Sequence, residues 1–104
     1  EKSPASMTAF NGLGYALSAA GRYDEALRAF GRALGGSRDY ADAWAGAAIT
    51  LDRMGRVTDA ESTLAKAIAI DPRYGKPAEL LDAVAIDRRS AAALEIILAR
   101  QKTP

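Results

Sequence analysis

Ser62 and Lys66 stand one helical turn apart, the spacing at which a lysine amine could take the proton of a serine nucleophile. Such a dyad needs a sheltered pocket and oxyanion donors. A polar pair at helical spacing in an alanine-rich segment reads instead as two solvent-facing residues. The chain has no histidine and no cysteine. Their absence removes the Ser-His-Asp arrangement, the HExxH zinc motif, thiolate metal ligands and the commonest general base together. Gly12-Leu13-Gly14 looks like a phosphate-binding glycine loop, but it lies inside a helical pattern, follows no strand and lacks the Gly-Lys-Ser/Thr ending. Close helix packing explains it better. Asp82 and Asp87 fall on different faces of a helix and lack the oxygen-rich loop that calcium prefers. Arg88-Arg89, with Arg73 and Lys76 nearby in sequence, could bind phosphate. With 14 basic against 13 acidic residues, interspersed and summing to +1, they read as a solvated inter-helix turn. The expectation is a protein that is not an enzyme, uses no metal or cofactor, and binds no nucleic acid.

The elements that would position any binding residues are helical. Hydrophobic content of 49% with 26% charged residues is that of one folded domain, and only four prolines and nine glycines interrupt a chain of good helix formers. The fold class is therefore all-α. No apolar run approaches the roughly 18 residues of a membrane span, and EKSPAS lacks the apolar core of a signal peptide. A soluble protein without membrane insertion is expected, cytoplasm and periplasm both staying open because missing cysteine does not separate them. Heavy use of alanine and arginine points to a GC-rich bacterial genome. The ends, EKSP and QKTP, read as those of a piece cut from a longer protein.

Sliding the sequence over itself by 34 positions superposes Ala9 on Ala43, Gly12 on Gly46, Gly21-Arg22 on Gly55-Arg56, Ala26 on Ala60, Ala33 on Ala67 and Tyr40 on Tyr74. Phe10 falls on Trp44 and Phe30 on Leu64. An internal repeat of this length decides the fold before any single residue does. Ser3-Pro4 or Ser6 would start a first helix over about residues 5–20, with Phe10, Leu13, Leu17 and Ala20 as its apolar stripe and Gly21 as its stop. Asp24 would cap a second helix carrying Ala26, Leu27, Phe30, Ala33 and Leu34, and Asp39 a third carrying Ala43, Trp44, Ala47, Ala48 and Leu51. Thr58 with Glu61 forms a capping box for a fourth, which ends before Asp71-Pro72. Beyond it, Lys76-Pro77 with Leu80, Leu81, Val84 and Ala85 reads as a fifth helix, and Ser90 as the cap of a sixth carrying Leu94, Ile97 and Leu98. Repeat equivalence places Phe10 and Trp44 in the core, leaving Tyr15, Tyr40 and Tyr74 as the aromatics of interest.

The two copies resemble tetratricopeptide repeats, helix-turn-helix units. The first matches that family's pattern with Phe10, Leu13-Gly14, Gly21, Ala26, Phe30 and Ala33, the second with Trp44, Ala47-Ala48, Gly55, Ala60, Leu64, Ala67 and the closing Pro72. Arg38 stands where the first copy should have that proline, and Leu17 and Leu51 replace a commonly aromatic position. The resemblance implies antiparallel helix pairs stacked as a short right-handed α-solenoid, with one repeat over 7–40, a second over 41–74, and 75–101 as a degenerate third repeat or C-terminal cap.

It also implies a function: a non-catalytic module that binds a protein or peptide segment in a concave groove. Position by position, the groove takes Thr8, Asn11, Tyr15, Ser18 and Ala19 from the first copy and Asp42, Ala45, Ile49, Asp52 and Arg53 from the second. A third copy adds Lys76, Glu79, Ala83, Ile86 and Asp87. Tyr15 and Ile49 would form an apolar centre with space beside Ala45, and Asp42, Asp52 and Glu79 an acidic fringe suited to a partner with basic flanks. The family's clamp for a terminal carboxylate is not expected, since Asn11, Tyr15 and Gly46 replace its residues and Lys76 alone fits. The alternatives are a self-associating scaffold forming homo-oligomers through exposed solenoid ends, and an adaptor domain of a larger protein.

Overall fold

Apolar residues at three- and four-residue steps form helices throughout the computed structural model, which describes residues 4–83 and 86–101. Among the described residues there are six: α1 Pro4–Ala19, α2 Tyr23–Gly36, α3 Ala41–Arg53, α4 Val57–Ile70, α5 Pro77–Asp82 and α6 Arg88–Gln101, with a 3-10 turn at Pro72–Gly75. No strand occurs among them. The chain is all-α, and consecutive helices pack on one another as a stack of antiparallel pairs.

The turns inside the two pairs are built alike. Gly21 and Gly55 adopt φ of 81° and 83°, a left-handed conformation that glycine enters without a Cβ penalty. The amide of Arg22 then reaches back to the Leu17 carbonyl at 2.9 Å, and that of Arg56 to Leu51 at 3.0 Å, closing both helices in the same way. This tight exit leaves a single residue before the next helix. Arg22 and Arg56 occupy it with nearly the same backbone angles, and neither caps with its side chain. Each arginine instead reaches forward to an acid in the first turn, Arg22 to Glu25 at 2.6 Å and Arg56 to Asp59 at 2.7 Å.

The glycine exit therefore sets where α2 and α4 begin, and the side-chain caps read from sequence are displaced into the helices. Asp24 and the Thr58–Glu61 pair lie inside α2 and α4, and Ser6 lies inside α1. Asp39 gives way to Tyr40 as the residue before α3. At α6 it is Asp87 that caps, its Oδ1 accepting from the Ser90 amide at 2.7 Å. Ser3, Val84 and Ala85 lie outside the described residues.

Phe30 is the pin between the pairs. It is fully buried, and Gly14 and Gly46 flank its ring so closely that a Cβ on either would lie 2.7 Å or 2.4 Å from ring carbons. Tyr15 meets the same ring edge-on at 5.2 Å between centroids. Phe10 and Trp44, expected in the core, are only half-buried. Arg32 covers Phe10, while Arg38 and Lys66 both lie over Trp44, whose indole N–H donates to the Arg38 carbonyl at 2.8 Å.

The third unit departs from the 34-residue register. α5 is only six residues long and packs on the 3-10 turn and α6, while α6 packs along α3 and α4. Leu94 and Ile97 of α6 join Ala45, Ile49 and Leu64 in one buried cluster. Asp87, just before α6, shares a cavity with Asp42 near the start of α3, and Arg100 in its last turn pairs with Asp52 near the end of α3. The two helices thus run in the same direction. α6, beginning at Arg88, occupies the place that the register assigned to a helix beginning near Lys76.

Candidate functional site

The second residue of α3, Asp42, gathers three side chains, two from α1 and one from the 3-10 turn. Its Oδ2 accepts from Asn11 Nδ2 at 2.8 Å, and its Oδ1 from the Tyr74 hydroxyl at 2.9 Å and the Tyr15 hydroxyl at 3.2 Å. The Tyr15 hydroxyl also lies 3.1 Å from the Asp42 carbonyl. Burial, followed by the Asp42 charge, pushes the phenols of Tyr15 and Tyr74 above their ordinary value, so both are neutral donors at physiological pH. Asn11 is buried at 7% exposure, and its Oδ1 has no hydrogen-bond partner among the described residues.

One turn further along α1 and two along α3, a second network ties the helices. Arg53 Nη1 donates to Ser18 Oγ at 2.9 Å, the Ser18 and Thr50 hydroxyls are 3.0 Å apart, and Thr50 Oγ1 donates to the Gly46 carbonyl at 2.8 Å. Ser18 and Thr50 are buried, and the bond to Ser18 holds the guanidinium of Arg53, a residue exposed as a whole.

Between the two networks lies a cleft of about 530 Å³, open to solvent. Its lining divides into an apolar part, the floor of Tyr15, Ala19 and Ile49, and a polar part, the rim of Arg53, Asp87, Arg88, Arg89 and Ser90, in which Ser90 is buried and the others are exposed. A smaller cavity of about 230 Å³ continues from Tyr15 and Ser90 toward Asp42 and Ile86. Each rim residue except Arg53 comes from α6 or the residue just before it.

The structure brings some of the expected groove residues together and removes others from the surface. Asn11, Tyr15 and Asp42 meet, but through bonds to one another. Tyr15 and Ile49 share the cleft floor, though Ile49 is only 2% exposed. Ala45 is fully buried in the cluster that contains Leu94 and Ile97, so it leaves no space for a partner; the displaced α6 is the reason. Thr8 is exposed on α1. Asp52 is paired with Arg100, and Glu79 lies 3.8 Å from Lys76 and lines neither cavity. The acidic fringe is thus occupied by the protein's own donors. Arg88, Arg89 and Ser90 were missed as rim residues because the register placed Arg89 at a solvated turn; the Asp87-to-Ser90 cap was the signal that a long helix starts there.

Ser62 and Lys66 do not meet as a nucleophile and base. Ser62 donates to the Thr58 carbonyl at 2.9 Å on an exposed surface, and the Lys66 ammonium lies 4.7 Å from the Trp44 ring centroid, so the two are not aimed at each other. Among the described residues no group of three acidic side chains is placed to hold a metal ion, and no helix is long and apolar enough to cross a membrane. A family model for the tetratricopeptide repeat matches residues 17–85. No curated protein matches the chain.

Proposed function

The chain belongs to the tetratricopeptide repeat family, whose repeats generally mediate protein-protein interaction and are not catalytic; from that premise we propose that it is a non-catalytic module binding a partner segment in the cleft between α1, α3 and the start of α6. The observation that carries this reading is the cleft itself, with an apolar lining and the exposed charged residues Arg53, Asp87, Arg88 and Arg89 on the face where the first helices of successive pairs lie side by side. A floor of Tyr15, Ala19 and Ile49 accepts one apolar side chain, and the rim orients what flanks it. Asn11 and Ser18 act beneath the surface and Asp42 acts partly buried beside them, holding Tyr15 and Arg53 in place. Thr8 extends the same face of α1, whereas Ala45 and Asp52 serve packing. Glu79 lies off the cleft.

Ala19→Trp fills the cleft from an exposed position without touching the buried networks. A partner captured from lysate by the parent and lost by this variant, with helicity unchanged, supports the reading; equal capture by both removes it.

A second reading, self-association, has its own observation. Gly12 has open space around it where its repeat equivalent Gly46 is packed under Phe30, and Leu13 beside it is 48% exposed. Ile96 at the other end of the stack is 55% exposed. Apolar surface at both ends is the condition for head-to-tail contacts. Sedimentation velocity over a concentration series distinguishes a homo-oligomer from a monomer that binds other proteins.

A further inference from the structure

We propose that the cleft selects an acidic segment, an apolar anchor flanked by glutamate or aspartate, and discriminates against a basic one. This rests on the cleft being the binding site and adds the sign of the partner's charge. The acidic residues expected to set a preference for basic flanks are each engaged within the protein. Asp42 receives hydrogen bonds from Asn11, Tyr15 and Tyr74, Asp52 pairs with Arg100, and Glu79 lies beside Lys76. Asp87 is the one carboxylate on the cleft rim, and its Oδ1 is held by the Ser90 amide.

The cations are in the opposite condition. Arg53, Arg88 and Arg89 are exposed on the rim, and among the described residues none of them forms an ion pair with a carboxylate. Arg53 is fixed by a neutral hydroxyl, which orients its guanidinium and leaves its charge uncompensated. Three arginines against Asp87 give the rim a net charge of +2 on a chain whose total is +1, so the positive potential is concentrated at this cleft. Arginine heads pair with carboxylates through two parallel hydrogen bonds, which sets orientation as well as attraction. The apolar lining between them, Tyr15 and Ala19 with Ile49 beneath, matches an aliphatic peptide side chain, whereas a lipid headgroup would engage the arginines through its phosphate and leave that lining uncovered; the oligonucleotide arm of the test reads whether a base does the same.

The test is a titration of the isotopically labelled chain followed by amide NMR shifts. The probes are a dozen-residue peptide of glutamates around a central leucine pair, its lysine counterpart, and a single-stranded oligonucleotide of equal negative charge. We expect the glutamate peptide to shift Ala19, Ile49 and Ser90. It should bind at least about tenfold more tightly than the lysine peptide, and weaken several-fold between about 50 mM and about 300 mM salt. In the Arg88→Glu, Arg89→Glu variant the preference should reverse. Negative charge in the first turn of α6 suits the helix dipole, so that helix is retained.

Shifts confined to the cleft but stronger with the lysine peptide overturn the charge assignment and leave the binding site standing. Shifts elsewhere, or none with either peptide, overturn both. An oligonucleotide that binds the cleft as tightly as the glutamate peptide overturns the peptide assignment.

Discussion

Gly46 and Gly12 are the same position in two copies of one repeat, each within a helix, yet alanine should act on them with opposite sign. Alanine in a helix interior is favoured over glycine by roughly 0.5–1 kcal/mol. At Gly12 no atom of the described residues lies within 4 Å of the added Cβ, so that gain is realised in full. At Gly46 the Cβ would lie 2.4 Å from two carbons of the Phe30 ring and 3.0 Å from Tyr15. Ordinary carbon contact needs about 3.5 Å, so the ring must retreat by about 1 Å. Its retreat is blocked, since Phe30 is fully buried and already fills the space over Gly14 on its other side. The overpacking cost belongs near the upper end of the usual range, about 3 kcal/mol. The net expectation is a loss of about 2 kcal/mol for Gly46→Ala and a gain of about 0.5–1 kcal/mol for Gly12→Ala. For a chain of this size the first lowers Tm by roughly 10 °C and the second raises it by a few degrees. Thermal melts followed by circular dichroism read both. Phe30→Leu in the Gly46→Ala background adopts the residue that the second copy carries at Leu64 and should recover part of the loss. A Gly46→Ala protein melting at or above the parent would refute the account of Phe30 as a pin.

Asp42→Ala removes the acceptor of three side chains and should cost about 2–4 kcal/mol by urea denaturation, since hydrogen bonds to a partly buried charge are each worth more than neutral ones. Stability should also fall at high pH. The raised phenols of Tyr15 and Tyr74 keep their protons in the folded chain while an unfolded tyrosine loses its own near its ordinary value of 10.0. The contribution is therefore whole below about pH 10 and declines above it by up to about 1.4 kcal/mol per pH unit for each residue. A Tyr15→Phe, Tyr74→Phe variant should lack that slope, and an equal slope in the variant would assign the alkaline loss to other groups.

The 34-residue spacing carried most of the fold, because the left-handed glycines and the small residues around Phe30 are demanded by backbone geometry and close packing, which leave few alternative residue types. Helix starts were less legible. Thr58 and Glu61 satisfy the composition of a capping box, but composition carries no information about how tightly the preceding turn closes, and Gly55 returns the chain to helix before Thr58 is reached. The candidate site depended on the third unit, where periodicity fails. The short α5 shifts the next long helix to Arg88, burying Ala45 and bringing Arg88 and Arg89 to the cleft. Charges that look free in a sequence also acquire internal partners: Asp42 and Asp52 appear as an acidic surface until Tyr74 and Arg100, far along the chain, are seen to meet them.

In a solenoid each unit touches only its neighbours, and terminal units can fray while the middle stays folded. The carboxylate of Asp42 works against that independence. Asn11 and Tyr15 reach it from the first pair, and Tyr74 from the turn that leads into the last unit. Detaching either end leaves the same partly buried acceptor undersupplied and loosens the other end's hold on it. The chain should therefore exchange its amide hydrogens as one cooperative body, with protection in α1 and α4 rising and falling together.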